Sequence, residues 1–93
     1  MIVGTAEIKL YAPWVCSLKE KRMTVKSLIA KTYNKFNVAI AEVDAQDVHQ
    51  TIVLGIACVA GTVAQSDSII DHVLAFIEHN TAAELLEIRR EIR

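Results

Sequence analysis

The run from Gln50 to Ala60 limits the possible folds more than any other part of the chain. Ile52, Leu54, Ile56 and Cys58 alternate with Thr51, Val53, Gly55, Ala57 and Val59, and both sides of the alternation are apolar. A period of two marks a β-strand, and a strand without a polar side belongs at the centre of a sheet. The rest of the chain must then supply strands beside it and helices to cover at least one face. The run is too short to span a bilayer. Charge is absent from Val48 to Ser66, but the apolar centre is only Ile52 to Ala60, whereas a spanning helix takes about 20 apolar residues.

A second alternation runs from Ile2 to Tyr11, with Ile2, Gly4, Ala6, Ile8 and Leu10 on one side and Val3, Thr5, Glu7, Lys9 and Tyr11 on the other. It reads as a half-buried strand that Pro13 ends. Ala12 to Cys16 follows as a loop. Ser17 with Glu20 three residues on then makes a capping box at the start of a helix running to about Phe36. At 100° per residue, Leu18, Val25, Leu28, Ile29, Thr32 and Phe36 form its buried stripe. Lys19, Arg22 and Lys26 line one flank, and Lys31 and Lys35 the other. Lys21 falls inside the apolar arc between Leu28 and Thr32, so it must extend to the surface or meet a carboxylate such as Glu7 or Glu42.

Asn37 is placed to stop that helix, and Val38 to Val43 reads as the next strand. Asp44 to Asp47 is a polar turn into the central strand. Gly61 to Ser66 is expected as a loop, with Ser66, Asp67 or Ser68 capping a second helix. That helix buries Ile69, Ile70, Val73, Leu74, Phe76 and Ile77 and turns Asp67, Asp71, His72, Glu78 and His79 outward. Ala83 to Arg93 fits a strand or a helix by periodicity alone. The order up to Asn80 is βαββα, and a fourth strand completes such a sheet most simply. The expectation is α+β: a ferredoxin-like split βαβ (βαββαβ) with a four-stranded antiparallel sheet, two helices on one face and the tail as an edge strand.

Residues 1–93 are sufficient for one domain, since a chain of this length buries roughly 60 to 70% of the surface that its unfolded form exposes. The start, Met1 to Glu7, lacks the basic and apolar regions of a signal peptide. Cys16 and Cys58 form no CxxC and read as free thiols of a cytoplasmic protein. Charge is unevenly divided. Residues 1–37 hold seven Lys or Arg against two Glu, while residues 38–84 hold seven acids and no Lys or Arg. A basic side and an acidic side are expected, and the basic side can meet polyanions although the whole chain is not basic.

Several stretches together carry a family likeness: Met1-Ile2-Val3-Gly4, Ser17-Leu18-Lys19-Glu20-Lys21-Arg22, Phe36-Asn37-Val38-Ala39-Ile40-Ala41-Glu42-Val43, Gln46-Asp47 with Gln50, and Leu54-Gly55. In these residues, which span nearly the whole chain, it resembles the YlxP-like proteins, a bacterial family of unknown function. The resemblance implies a ferredoxin-like fold and hence a strand for the tail. Genes of that family often lie among those for translation initiation and ribosome maturation, which implies RNA or ribosome contact by association. No catalytic residue comes with the resemblance. First helices of the family are frequently richer in Arg than this one, where Met23, Thr24, Thr32 and Tyr33 stand.

The candidate nucleic-acid contacts are Lys19, Arg22 and Lys26, with Lys21 beside them, because cations along one helix face meet successive phosphate oxygens. Trp14, just before the helix, can stack a base or pack over its loop. The open sheet face offers small apolar residues with Tyr11 as its aromatic, so it is no RNA-stacking platform and is expected to form a homodimer instead. Cys16 has no His near it in sequence to act as base. Glu42, Asp44, Asp47 and His49 match no metal-binding loop, and His72 and His79 lie roughly 10 Å apart on their helix. No glycine-rich phosphate loop or nucleophile elbow is present. The expected function is therefore a non-enzymatic module without cofactor that contacts structured RNA or a ribosomal subunit through the first helix. The alternative is a homodimeric protein-interaction or small-ligand-binding module with no nucleic-acid role.

Overall fold

The chain folds in the order β1 (Ile2–Tyr11), α1 (Leu18–Lys35), β2 (Ala39–Asp44), β3 (Thr51–Ala60), α2 (Val63–His79) and β4 (Glu84–Ile92). This computed structural model describes residues 1–93. The sheet order is β2-β3-β1-β4, and every neighbouring pair is antiparallel. The topology is ferredoxin-like. The two-sided apolar run, β3, is an inner strand, and the tail is an edge strand, as the βαββα order before it and the family likeness implied, against the helix-forming composition of the tail itself.

Register follows from the alternation. Ile8 lies opposite Leu54 on one side and Ile88 on the other, and Ile40 lies opposite Ile56, so the apolar residues of all strands share the face toward the helices. A slip of one residue would turn each of them outward. The core joins Ala6, Ile8 and Leu10 of β1 and Ile52, Leu54, Ile56 and Cys58 of β3 to Val25 and Leu28 of α1 and Ile70, Val73, Leu74 and Ile77 of α2. Each of these Leu and Ile side chains contributes about 1.5–3 kcal/mol by leaving water. Phe36 and Phe76 close the layer edge to face, with ring centroids 5.5 Å apart.

Local signals at the helix ends differ from expectation in three places. Ser17 Oγ accepts from the Glu20 N–H at 3.1 Å, but the Glu20 carboxylate reaches the Cys16 N–H at 3.5 Å rather than returning to Ser17, so the box is displaced by one residue. α1 ends at Lys35 because Phe36 is extended, with φ −124°, and its ring is drawn onto Phe76; Asn37 does not take up the left-handed conformation of a stop. α2 starts earlier than the serines suggested. Thr62 is its cap, accepting from the Gln65 N–H at 3.1 Å, while Gln65 Oε1 accepts from the Gly61 N–H at 3.1 Å. Ser66 is thereby released from capping and buried, its hydroxyl 3.6 Å from Cys58 Sγ and packed against Gly4.

The charge division also changes meaning in three dimensions. α1 and α2 lie side by side on one face of the sheet. The basic residues therefore gather mostly on α1, whereas the acids divide among α2 beside it (Asp67, Asp71 and Glu78), β2 and the turn after it (Glu42, Asp44 and Asp47) and β4 (Glu84), so no single acidic side faces the basic one.

Candidate binding surfaces

α1 presents three arcs, each fixed by its angular position. The inward arc holds Val25, Leu28, Thr32 and Lys21, all buried. Lys21 is 1% exposed. Its ammonium donates to the carbonyl oxygens of Ala45 and Val48, the latter at 2.7 Å, and lies 2.9 Å from Glu42 Oε2. Three oxygens thus surround a group with three N–H donors. Glu42 Oε2 is not aligned for a hydrogen bond with any donor, so its contact with Lys21 is an ion pair. Glu7, the other acid considered, lies opposite Gly55 on the far face of the sheet and cannot reach.

Lys21 therefore binds the β2–β3 turn to α1. Ala45 in that turn has φ 56°, which costs a residue with a Cβ roughly 1–2 kcal/mol. Asp44 Oδ1 accepts from the Ala45 N–H at 2.7 Å, and the Ala45 carbonyl accepts from the Val48 N–H at 3.0 Å as well as from Lys21. Expected as a nucleic-acid contact, Lys21 is corrected to a structural cation, because no phosphate oxygen can approach an ammonium already enclosed.

The outward arc carries Lys19, Arg22 and Lys26, all exposed. None of them is in an ion pair, and neither is Lys31 or Lys35 on the opposite flank. By contrast, Arg89, Arg90 and Arg93 of the tail are each matched with a carboxylate. Lys35 is held over the Phe76 ring, 5.5 Å from its centroid. Trp14 is 41% exposed and lines a groove of about 360 Å³ with Met23, Thr24, Ser27 and Lys31. That groove is on the α2 flank of α1. The structure thus brings Lys19, Arg22 and Lys26 together and sets Trp14 apart from them.

The uncovered sheet face is divided lengthwise. Along β2 and β3 it is small and apolar, and Gly55 leaves room for the Val43 side chain, which a Cβ there would meet at 2.7 Å. Val43 and Val59 are 47% and 66% exposed. Along β1 and β4 it is charged, with Glu7 opposite Arg89 and Lys9 opposite Glu87. A shallow groove of about 580 Å³ crosses the boundary between Ala39, Ala41, Gly55 and Ala57 on one side and Glu7, Arg89 and Arg93 on the other. Glu7 and Lys9 were expected on this face, but their partners Arg89 and Glu87 were not, because the strand partner of the tail could not be read from periodicity.

The remaining candidates stand apart from one another. Cys16 is exposed and donates weakly to the Trp14 carbonyl at 3.4 Å, while Cys58 is buried; both are free thiols. His72 and His79 each place Nδ1 against a carbonyl of their own helix, at 2.6 and 2.7 Å. No three His, Cys, Asp or Glu side chains are grouped to hold a metal ion, and no helix is long and apolar enough to cross a membrane.

The sequence model of the family described as Protein of unknown function (DUF503) matches residues 3–90. The Uncharacterized protein YlxP of Bacillus subtilis (strain 168) is 39% identical over 77 residues, covering 83% of this chain and 84% of that protein. Among solved structures, the solution NMR structure of the de novo designed protein LFR1 1 with ferredoxin fold aligns with a TM-score of 0.61 over 100% of this chain and 86% of the design. The two sequences are 23% identical, so that likeness concerns the fold alone.

Proposed function

We propose, from the premise that the chain belongs to the DUF503 family of proteins of unknown function, that it is a cytoplasmic, non-enzymatic module contacting structured RNA or a ribosomal subunit through the outward arc of α1. One observation carries this reading: Lys19, Arg22 and Lys26 are exposed on a single arc and have no carboxylate partner, whereas the cations of β4 are all engaged.

The arc spans about 10 Å along the helix axis, a length over which an RNA backbone presents successive phosphates. Each phosphate neutralised releases counterions, which supplies the affinity. The positive end of the helix dipole at Ser17 adds to the same field. Exposed cations at this end repel that dipole in the free protein, a local conflict of the kind expected where a surface serves binding.

The test is titration of ribosomal subunits and rRNA fragments at several salt concentrations, with the wild type and a Lys19→Glu, Arg22→Glu, Lys26→Glu variant. Binding that weakens with salt is expected, and the variant should lose it or lower the logarithmic salt slope by about 2 to 3. No binding at low salt, or equal binding by the variant, sinks the reading. Recovery of one stoichiometric protein partner after nuclease treatment would replace it with a protein-interaction module.

A further inference from the structure

We propose that two copies of this chain pair through the free edge of β4, antiparallel and about a two-fold axis at Arg90, to form one continuous sheet. This goes beyond the polyanion reading and does not depend on it, since α1 contacts β2 at the other edge of the sheet.

The backbone shows which groups are free. Arg93 exchanges both hydrogen bonds with Val3 of β1, at 2.7 and 3.0 Å. Antiparallel ladders alternate, so the odd-numbered residues before it also turn toward β1, and the N–H and C=O groups of Ile88, Arg90 and Ile92 point outward along the edge. The side chains leave the same edge uncovered. α2 packs over β1 and β3 and leaves β4 nearly bare, so Ile88 and Ile92 are 39% and 46% exposed on the helix side.

Charge then selects the occupant and its register. An axis at Arg90 sets Glu87 against Arg93 and Arg89 against Glu91 in both directions, and sets Ile88 against Ile92. An axis at Arg89 would oppose Glu87 to Glu91 and Arg89 to itself. One at Glu91 would oppose Arg89 to Arg93. An axis at Ile88 runs into the irregular pairing where Lys9 gives way to Leu10. Charged side chains blunt an edge where they repel the same side chains of a second copy. Here the signs alternate, and the strand is complementary to itself. The Arg90 guanidinium, nearest the axis, is drawn onto its own α2 by Asp71 and Asp67, which offset its charge. Within one chain, the Arg89–Glu87 and Arg93–Glu91 pairs are exposed and weak, free to exchange for partners across the axis.

Sedimentation equilibrium of the whole chain from micromolar to several hundred micromolar tests this, with circular dichroism to check that each variant folds. A reversible monomer–dimer equilibrium is expected. Arg93→Glu should raise the dimer Kd by about tenfold by facing Glu87 with a like charge, and adding Glu87→Arg in the same chain should restore it. Arg89→Glu, and its restoration by Glu91→Arg, repeats the test at a second pair. A monomer at every concentration, a dimer indifferent to the single changes, or no recovery in the swapped chains would overturn the proposal. Dimerisation through the open sheet face predicts the reverse, dissociation by Val59→Lys with no effect of the β4 changes, and that result would overturn it too.

Discussion

Lys21 Nζ lies 2.9 Å from Glu42 Oε2, joining the inward arc of α1 to the edge strand β2 beneath it. The pair is enclosed unequally, with the lysine side chain 1% and the glutamate 18% exposed. Removing one partner leaves the other charge poorly solvated, which costs more than the pair itself contributes.

Lys21→Met is therefore expected to lower the stability to urea by roughly 3 kcal/mol, since it also strands the Val48 carbonyl and takes one of two donors from that of Ala45. Glu42→Gln should cost less, because the amide oxygen keeps a partial negative charge beside the ammonium and the two carbonyls keep their donor. Equal losses in chemical denaturation would show that the ion pair, and not the enclosed ammonium, holds the β2–β3 turn.

Gly4 and Ser66 touch so closely that a Cβ on Gly4 would overlap the serine hydroxyl and lie 3.2 Å from Cys58 Sγ. Gly4→Ala should destabilise by about 1–3 kcal/mol through overpacking between β1 and α2. Adding Ser66→Ala removes the overlapping oxygen and should recover part of that loss. A thermal melt in which the double variant is no better than the sum of the singles would refute the contact.

Lys19 sits in the first turn of α1, where a cation opposes the helix dipole and an anion is favoured. Lys19→Glu is expected to raise stability by about 0.5 kcal/mol while weakening binding to rRNA. Unchanged or tighter binding in the salt-dependent titration would separate Lys19 from the binding surface, and unchanged or lower stability in denaturation would refute the conflict with the dipole.

The alternations of β1 and β3, the buried stripes of both helices and the place of Lys21 inside an apolar arc were all legible in the sequence, because each depends on the angle between successive residues of one element. The start of α2 was less legible. Three residues of the type that caps helices stand in a row from Ser66 to Ser68, yet the cap is Thr62, since Gln65 completes its hydrogen bonds and Gly4 needs Ser66 inside. Of the candidate contacts, Lys19, Arg22 and Lys26 could be grouped from spacing. Trp14 could not be placed, because its side of α1 is fixed by the path of a loop.

By itself the sequence determined the order of elements, the inward face of each and, with the family likeness, the strand character of the tail. Tertiary structure decided which groups meet: Glu42 rather than Glu7 for Lys21, Ser66 against Gly4, and a β4 that α2 reaches chiefly at Arg90, leaving Ile88 and Ile92 exposed. The reason is physical. Periodicity reports how a residue is oriented within its own element, whereas a partner is set by which strand lies beneath it, and that depends on long-range pairing chosen by the whole core.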